Sequence, residues 1–358
     1  MACLCVLSLL LPSAVVVLAL EASAVCAVEA PVGERGGGLV IHLAPGCTQA
    51  EREARAVGGA TIMEVVAKGR SVDLVGVIVR GDLLFDQLAV QTTQRQNGFI
   101  PKQQAAPNQS NEEEVRLVRE ALTIRDSVVV GAVRHRFSKS TLHFEGPLDL
   151  KGTTFKDGVD LSRSVFEGAV ELSGATFEKE AYFVQGQFGQ TLGCKETKFG
   201  PHTRFHRSLF RGPVDCDGAL FDGMAEFLEV SFEQAASFER ARFGLGTGFS
   251  GSRFMQRANF SEAIFSRDTF FGFSVFEGET SFAAAQFLGA ADFSDAEFKK
   301  PDDLAKVRFD QEPLFTRTKR IIQDHRVDTQ KLQTGQLAMT LIFLLLAALL
   351  IAYVLKMR

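Results

Sequence analysis

From residue 144 onward the chain places large apolar side chains on a beat that suits neither common secondary structure. Phe144, Phe155, Phe166, Phe177, Phe188, Phe199, Phe210, Phe221, Phe232, Phe243, Phe254, Phe265, Phe276, Phe287, Phe298 and Phe309 follow one another at steps of eleven without a gap. A second apolar series runs six residues behind the first: Leu150, Leu161, Leu172, Phe183, Cys194, Phe205, Cys216, Phe227, Phe238, Phe249, Phe260, Phe271, Phe282, Phe293, Leu304 and Phe315. Rings therefore alternate at steps of five and six, as in Phe249, Phe254, Phe260 and Phe265. An α-helix turns about 100° per residue, so such steps rotate a side chain by about 140° and 240° and scatter the rings around it. A flat strand has period two, so the six-residue step keeps a ring on its face and the five-residue step flips it. An eleven-residue period also belongs to right-handed helical coiled coils. Offsets of zero and six share no helix face, however, and glycine recurs two residues after the first-series ring, at Gly146, Gly168, Gly212, Gly223, Gly278 and Gly289. Each such glycine costs a helix about 1 kcal/mol relative to alanine.

The residues between the rings complete a unit. Two positions before a ring the residue is small or β-branched, as at Thr153, Ser164, Ala175, Ala219, Ala241, Ala263, Ala285 and Ala296. The position before a second-series member is often polar, as at Asp149, Asp160, Glu171, Asp215, Glu226, Asn259 and Asp292. A coil that turns a right angle after each unit points the ring and the small residue inward, with period two holding only within one side. The pattern resembles the pentapeptide-repeat family, above all its Phe-rich branch. The text that carries the likeness is Leu172-Ser173-Gly174-Ala175-Thr176-Phe177 and Phe249-Ser250-Gly251-Ser252-Arg253-Phe254. The resemblance implies an all-β fold, a right-handed, quadrilateral parallel β-helix solenoid in which each unit forms one side. The sixth residue in alternate units departs from the family pattern and predicts coils of about 22 residues, with an extra residue at two corners. Stacked about 4.8 Å apart, such coils lay phenylalanine on phenylalanine. Cys194 and Cys216, 22 residues apart in one register, then stack; a pair of small core residues fits parallel side chains better than a disulfide does.

The two ends read as membrane signals. Residues 1–27 have the form of an export signal, an apolar run followed by small residues, and cleavage after Ala24 or Ala27 fits. No lysine or arginine precedes Arg35, so an uncleaved anchor remains an alternative. Leu337 to Leu355 is an uncharged apolar stretch long enough to form a transmembrane helix. The basic residues Arg317, Lys319, Arg320, Arg326 and Lys331 before it argue for a cytoplasmic body, while the export signal argues for an outside one. Long domains translocate largely regardless of charge, which favours a single-pass membrane protein with its repeats extracytoplasmic, periplasmic or at the cell surface, and its short tail in the cytoplasm.

Between signal and rod, residues 28–143 predict a helical N-terminal cap and irregular first coils, with the rod beginning near Ser71 and a polar loop projecting over 91–114. The regular solenoid spans 144–315, a juxtamembrane linker 316–336 and the membrane helix 337–355. A net charge of −4 carries no basic footprint for nucleic acid. His202 and His206 have helical metal spacing, but Phe205 sets a coil register between them. No catalytic constellation, cofactor motif or small-molecule site stands out, so the expectation is a non-catalytic scaffold, tethered by its C-terminal helix, that meets an unidentified protein partner. Phe270 and Phe273 fall outside both inward series and are the candidate interface. Some relatives in the resembling family mimic duplex DNA and regulate topoisomerases, an alternative that needs a cytoplasmic rod and a continuous acidic stripe. A second alternative is an accessory part of an envelope enzyme or transport system, with residues 31–143 as its active part.

Overall fold

The computed structural model describes residues 26, 37–94, 112–135, 139–304 and 306–321. The remainder of the export signal, most of the 91–114 loop, the linker beyond Ile321 and the apolar run 337–355 lie outside the described residues. Among the described residues no helix is long and apolar enough to cross a membrane.

Strands mostly of two to four residues, one per side, stack into four sheets of 11, 11, 9 and 10 strands, parallel except for one pair, giving a β-solenoid of about ten turns. We call these faces one to four in the order the chain visits them, for example through Leu148–Asp149, Thr154–Phe155, Val159–Asp160 and Ser164–Phe166. Each strand of the regular part pairs with the one 22 residues on, as in Phe155↔Phe177 and Phe243↔Phe265. The rings that step by eleven line faces two and four, and those six residues behind line faces one and three. Phe144 through Phe298 of the first series are all buried. Successive rings on one face stack nearly parallel, Phe243 on Phe265 with centroids 4.8 Å apart and planes at 1°. Rings on adjoining faces meet edge to face, as Phe249 and Phe260 do at 5.3 Å and 79°. Both arrangements are favourable for aromatic quadrupoles.

The five-residue and six-residue corners are built differently. Every five-residue corner contains a left-handed residue at a fixed step of eleven, and most are not glycine: Arg163, Gln185, Glu196, Arg207, Glu229, Arg240, Glu262 and Phe273 among them. The residue after it is the small inward one, and most of those that carry a hydroxyl, though not Ser164, tie the corners together. Ser208 Oγ donates to the Phe183 carbonyl at 2.8 Å and accepts from the Gly186 N–H at 3.0 Å. Ser252 does the same for Phe227 and Val230. The recurrent glycines sit instead at six-residue corners and serve close approach rather than left-handed geometry. A Cβ on Gly223 would stand 1.8 Å from the Pro201 carbonyl oxygen of the coil below.

The β-coils begin earlier than Ser71. Strand β1 (Leu39–His42) already pairs in parallel with Val72–Val75. The sequence hides this because helices α1 (Gln49–Ala54) and α2 (Gly59–Ala67) interrupt that first coil and break its period. Thr48 and Glu51 close the start of α1 with a capping box, and Ile62 and Val66 of α2 enter the core. The polar insertion is flanked by strands Gln91–Gln94 and Glu112–Val118, which pair antiparallel and so form the base of a ribbon at the end of face four. The cysteines also differ from expectation. Cys26 and Cys47 form a disulfide beside α1. Cys194 and Cys216 stack across neighbouring coils, their Cα atoms 4.5 Å apart.

Candidate interaction surface

With the inner positions filled by rings, alanines and hydroxyls, chemistry is left to the outward side chains. Many form ion pairs across one coil, 20 or 22 residues apart. Arg207 Nε lies 2.8 Å from Glu229, Arg204 Nε 2.6 Å from Glu226, and Lys195 Nζ 2.9 Å from Asp215. Lys156 pairs with Glu178 and Arg317 with Asp295 in the same way. The arginine partners hold the Glu229 and Asp295 carboxyls below their usual range, and Asp215 raises Lys195. These pairs are exposed, so each adds little stability. Their effect is on the field: basic side chains alternate with acidic ones along the rod.

His202 lies on face three in the strand His202–Arg204, where it accepts a hydrogen bond from Arg204 Nε at 3.1 Å and stands 3.6 Å from Glu226. Tyr182 presents its ring edge-on to the imidazole at 5.7 Å. His206 lies past that strand, in the turn beyond Phe205. Among the described residues no three histidine, cysteine or acidic side chains gather as a metal set. A cavity of about 320 Å³ opens beside α2, lined by Val66, Lys68, Gly69, Leu88, Gln91 and Arg119 among others. Its two cations are engaged, Lys68 with Glu64 at 2.6 Å and Arg119 with Gln91 at 3.3 Å.

Two histidines, His135 buried and His143 half-buried, lie at the four-cornered core's margin near its start. Burial lowers the His135 pKa, against a hydrogen bond with the Ser162 carbonyl at 3.3 Å, and burial likewise lowers that of His143.

Face three carries exposed aromatic rings. Phe270 is 45% exposed and Phe273 67%. Phe270 projects from the strand Thr269–Phe270, whose other residue is buried, and Phe273 holds the left-handed corner at φ +60°. Met224, 44% exposed, and Leu228 continue the apolar strip toward earlier coils. Sequence register alone picks out the two phenylalanines, because each breaks the beat. Met224 and Leu228 escape that reading, since a single outward apolar residue carries no periodic signal.

Residues 142–187 and 217–264 match the family model described as pentapeptide repeats (9 copies). Neither a curated protein nor a solved structure matches the chain. The matched stretches carry repeats of the pentapeptide-repeat kind, and they share their register, their buried rings and their four-sided stacking with the rest of the rod.

Proposed function

We propose that this chain is a membrane-tethered, extracytoplasmic repeat scaffold that binds a protein partner through face three and catalyses nothing itself. A pentapeptide-repeat solenoid suits a non-catalytic interaction role, because it offers long regular faces rather than a cleft. The observation that carries the reading is the pair of exposed rings, Phe270 and Phe273, on a rod whose other described phenylalanines face inward or lie at its ends. Exposed aromatic clusters of this kind are the usual anchors of interfaces.

The tether is the apolar run 337–355, and the outside location draws support from the Cys26–Cys47 disulfide, since such bonds persist in oxidising compartments. That bond also favours cleavage after Ala24, because cleavage after Ala27 would discard Cys26. In this reading α1 and α2 serve as the cap that shields the first coil's open edge. The DNA-mimic alternative requires an unbroken acidic stripe, whereas Arg204, Arg207 and Arg317 neutralise outward carboxylates. A reporter fused at Arg358, combined with protease access to the rod, tests topology; a rod protected inside the cell overturns the location. Replacing Phe270 and Phe273 with serine tests the surface, and undiminished recovery of crosslinked partner removes it.

A further inference from the structure

The outward side chains of face three are arranged to meet a second set of themselves. Each coil presents one residue at mid-face, with outward neighbours two positions before and after it and corners three positions away. In the coil of Phe270 the neighbours are Asp268 and Gly272 and the corners Arg267 and Phe273. A two-fold axis parallel to the rod keeps every coil at its own height and exchanges left and right. Each mid-face residue then meets its own copy, and the corner before it meets the corner after it.

Bulk and charge match under that operation. Leu245, 46% exposed, comes opposite Gly251, and Met224 comes opposite Leu228. Phe270 meets Phe270 near the axis. Arg267, exposed and without an ion pair among the described residues, comes opposite the exposed ring of Phe273. At the corners on either side a glycine again meets a longer side chain, Gly223 against Glu229 and Gly289 against Asp295, and both carboxylates already have an arginine within their own chain. Glu226, at mid-face, is neutralised by Arg204 at 2.6 Å. The unfavourable meeting is that of Asp292 with Asp292. Antiparallel rods fit worse, because a two-fold axis running across the rod at Phe270 sets Arg267 on Arg267 and Met224 on Glu312.

Resting on the reading of face three as the interaction surface and of 337–355 as the tether, we propose that the partner is a second copy of this chain, docked face three to face three with the rods parallel. Each rod leads through residues 322–336 to its own apolar run, so two copies in one membrane stand the same way up and hold Phe270 at one height. The Arg267 guanidinium of each copy lies on the Phe273 ring of the other. Four coils by one side cover about 400 Å² per copy, about half of a standard interface. Such a contact is weak between free molecules and is sustained by the effective concentration that confinement to one membrane gives.

The test uses the full-length chain in phosphatidylcholine vesicles, with donor and acceptor fluorescent proteins fused at Arg358 of separate copies and energy transfer read against protein density. Association is expected. Arg267→Gln and Phe273→Ser should each weaken it about threefold, and together no further than either alone. Asp292→Asn keeps an acceptor for the Ser294 N–H, which Asp292 Oδ1 binds at 2.8 Å, and should strengthen association about twofold by relieving like charges at mid-face. An oxidant should join Met224→Cys in one copy to Leu228→Cys in another. Absence of energy transfer, while recovery of a different crosslinked protein still depends on Phe270 and Phe273, sinks the second copy and leaves the surface reading standing. Energy transfer indifferent to Arg267 and Phe273, or a bridge between two copies of Arg267→Cys, overturns the parallel pairing. If neither energy transfer nor partner recovery responds to Phe270→Ser with Phe273→Ser, the surface reading falls with the proposal.

Discussion

Phe260→Ala tests whether the aromatic ladder is a close-packed core. Phe260 has no exposed surface; it stacks on Phe238 at 5.3 Å and 4° and on Phe282 at 5.0 Å and 7°, with Phe249 and Phe271 edge-on at 5.3 and 5.5 Å. Removing a buried phenylalanine ring costs roughly 3–5 kcal/mol, and a ring held on both faces belongs in the upper part of that range. We take about 4 kcal/mol. Each coil touches only its neighbours, so the loss should be confined to nearby coils, as in other repeat arrays. Hydrogen exchange followed by mass spectrometry on the full chain reads both quantities. Amides around the break, such as Phe238 N–H to the Asn259 carbonyl and Phe260 N–H to that of Ser281, should exchange about a thousandfold faster. Amides near Phe144 and Phe155 should hardly change. Acceleration below tenfold, or acceleration spread evenly along the rod, would refute the packing argument. Phe260→Leu should cost less than about 1.5 kcal/mol, because Leu150, Leu161 and Leu172 already occupy the same series.

Phe273→Gly should leave the melting temperature unchanged or slightly raised, since a non-glycine left-handed residue carries about 1 kcal/mol of strain and Gly251 holds the same corner one coil earlier; a clear drop would mean the ring anchors the fold. Gly223→Ala should destabilise by about 1–3 kcal/mol and expose nearby coils to limited proteolysis, given the backbone only 1.8 Å from its new Cβ. His135 and His143 are held neutral in the folded rod while the unfolded chain takes up protons below about pH 6.5. Their contribution is complete above that pH and lost as pH falls through it, so thermal stability should drop between pH 7.5 and 5.5, and His135→Gln with His143→Gln should flatten that slope. Alkylation of the denatured, unreduced chain should leave Cys47 unlabelled, and Cys47→Ser should cost about 3 kcal/mol; a labelled Cys47 disproves the bridge.

The periodic part of the molecule was legible because burial in a solenoid is a strictly local affair. The inward ring recurs wherever the chain turns the same corner, so the beat of five and six, read with the four-sided coil that the family resemblance implies, determines a 22-residue coil, which side chains are core, and that Phe270 and Phe273 are not. Whatever breaks the beat was not legible. The start of the solenoid at Leu39 was hidden by α1 and α2, whose helical residues interrupt the first coil. The glycines at six-residue corners were visible, but their reason was not: only stacked coils bring Pro201 against Gly223. Left-handed corners are filled by arginine, glutamate and glutamine as readily as by glycine, so composition gave no sign of them. The Cys26–Cys47 contact and the packing of Leu228 over Gly248 depend on side chains meeting through space, and such neighbours leave no periodic signal along the chain.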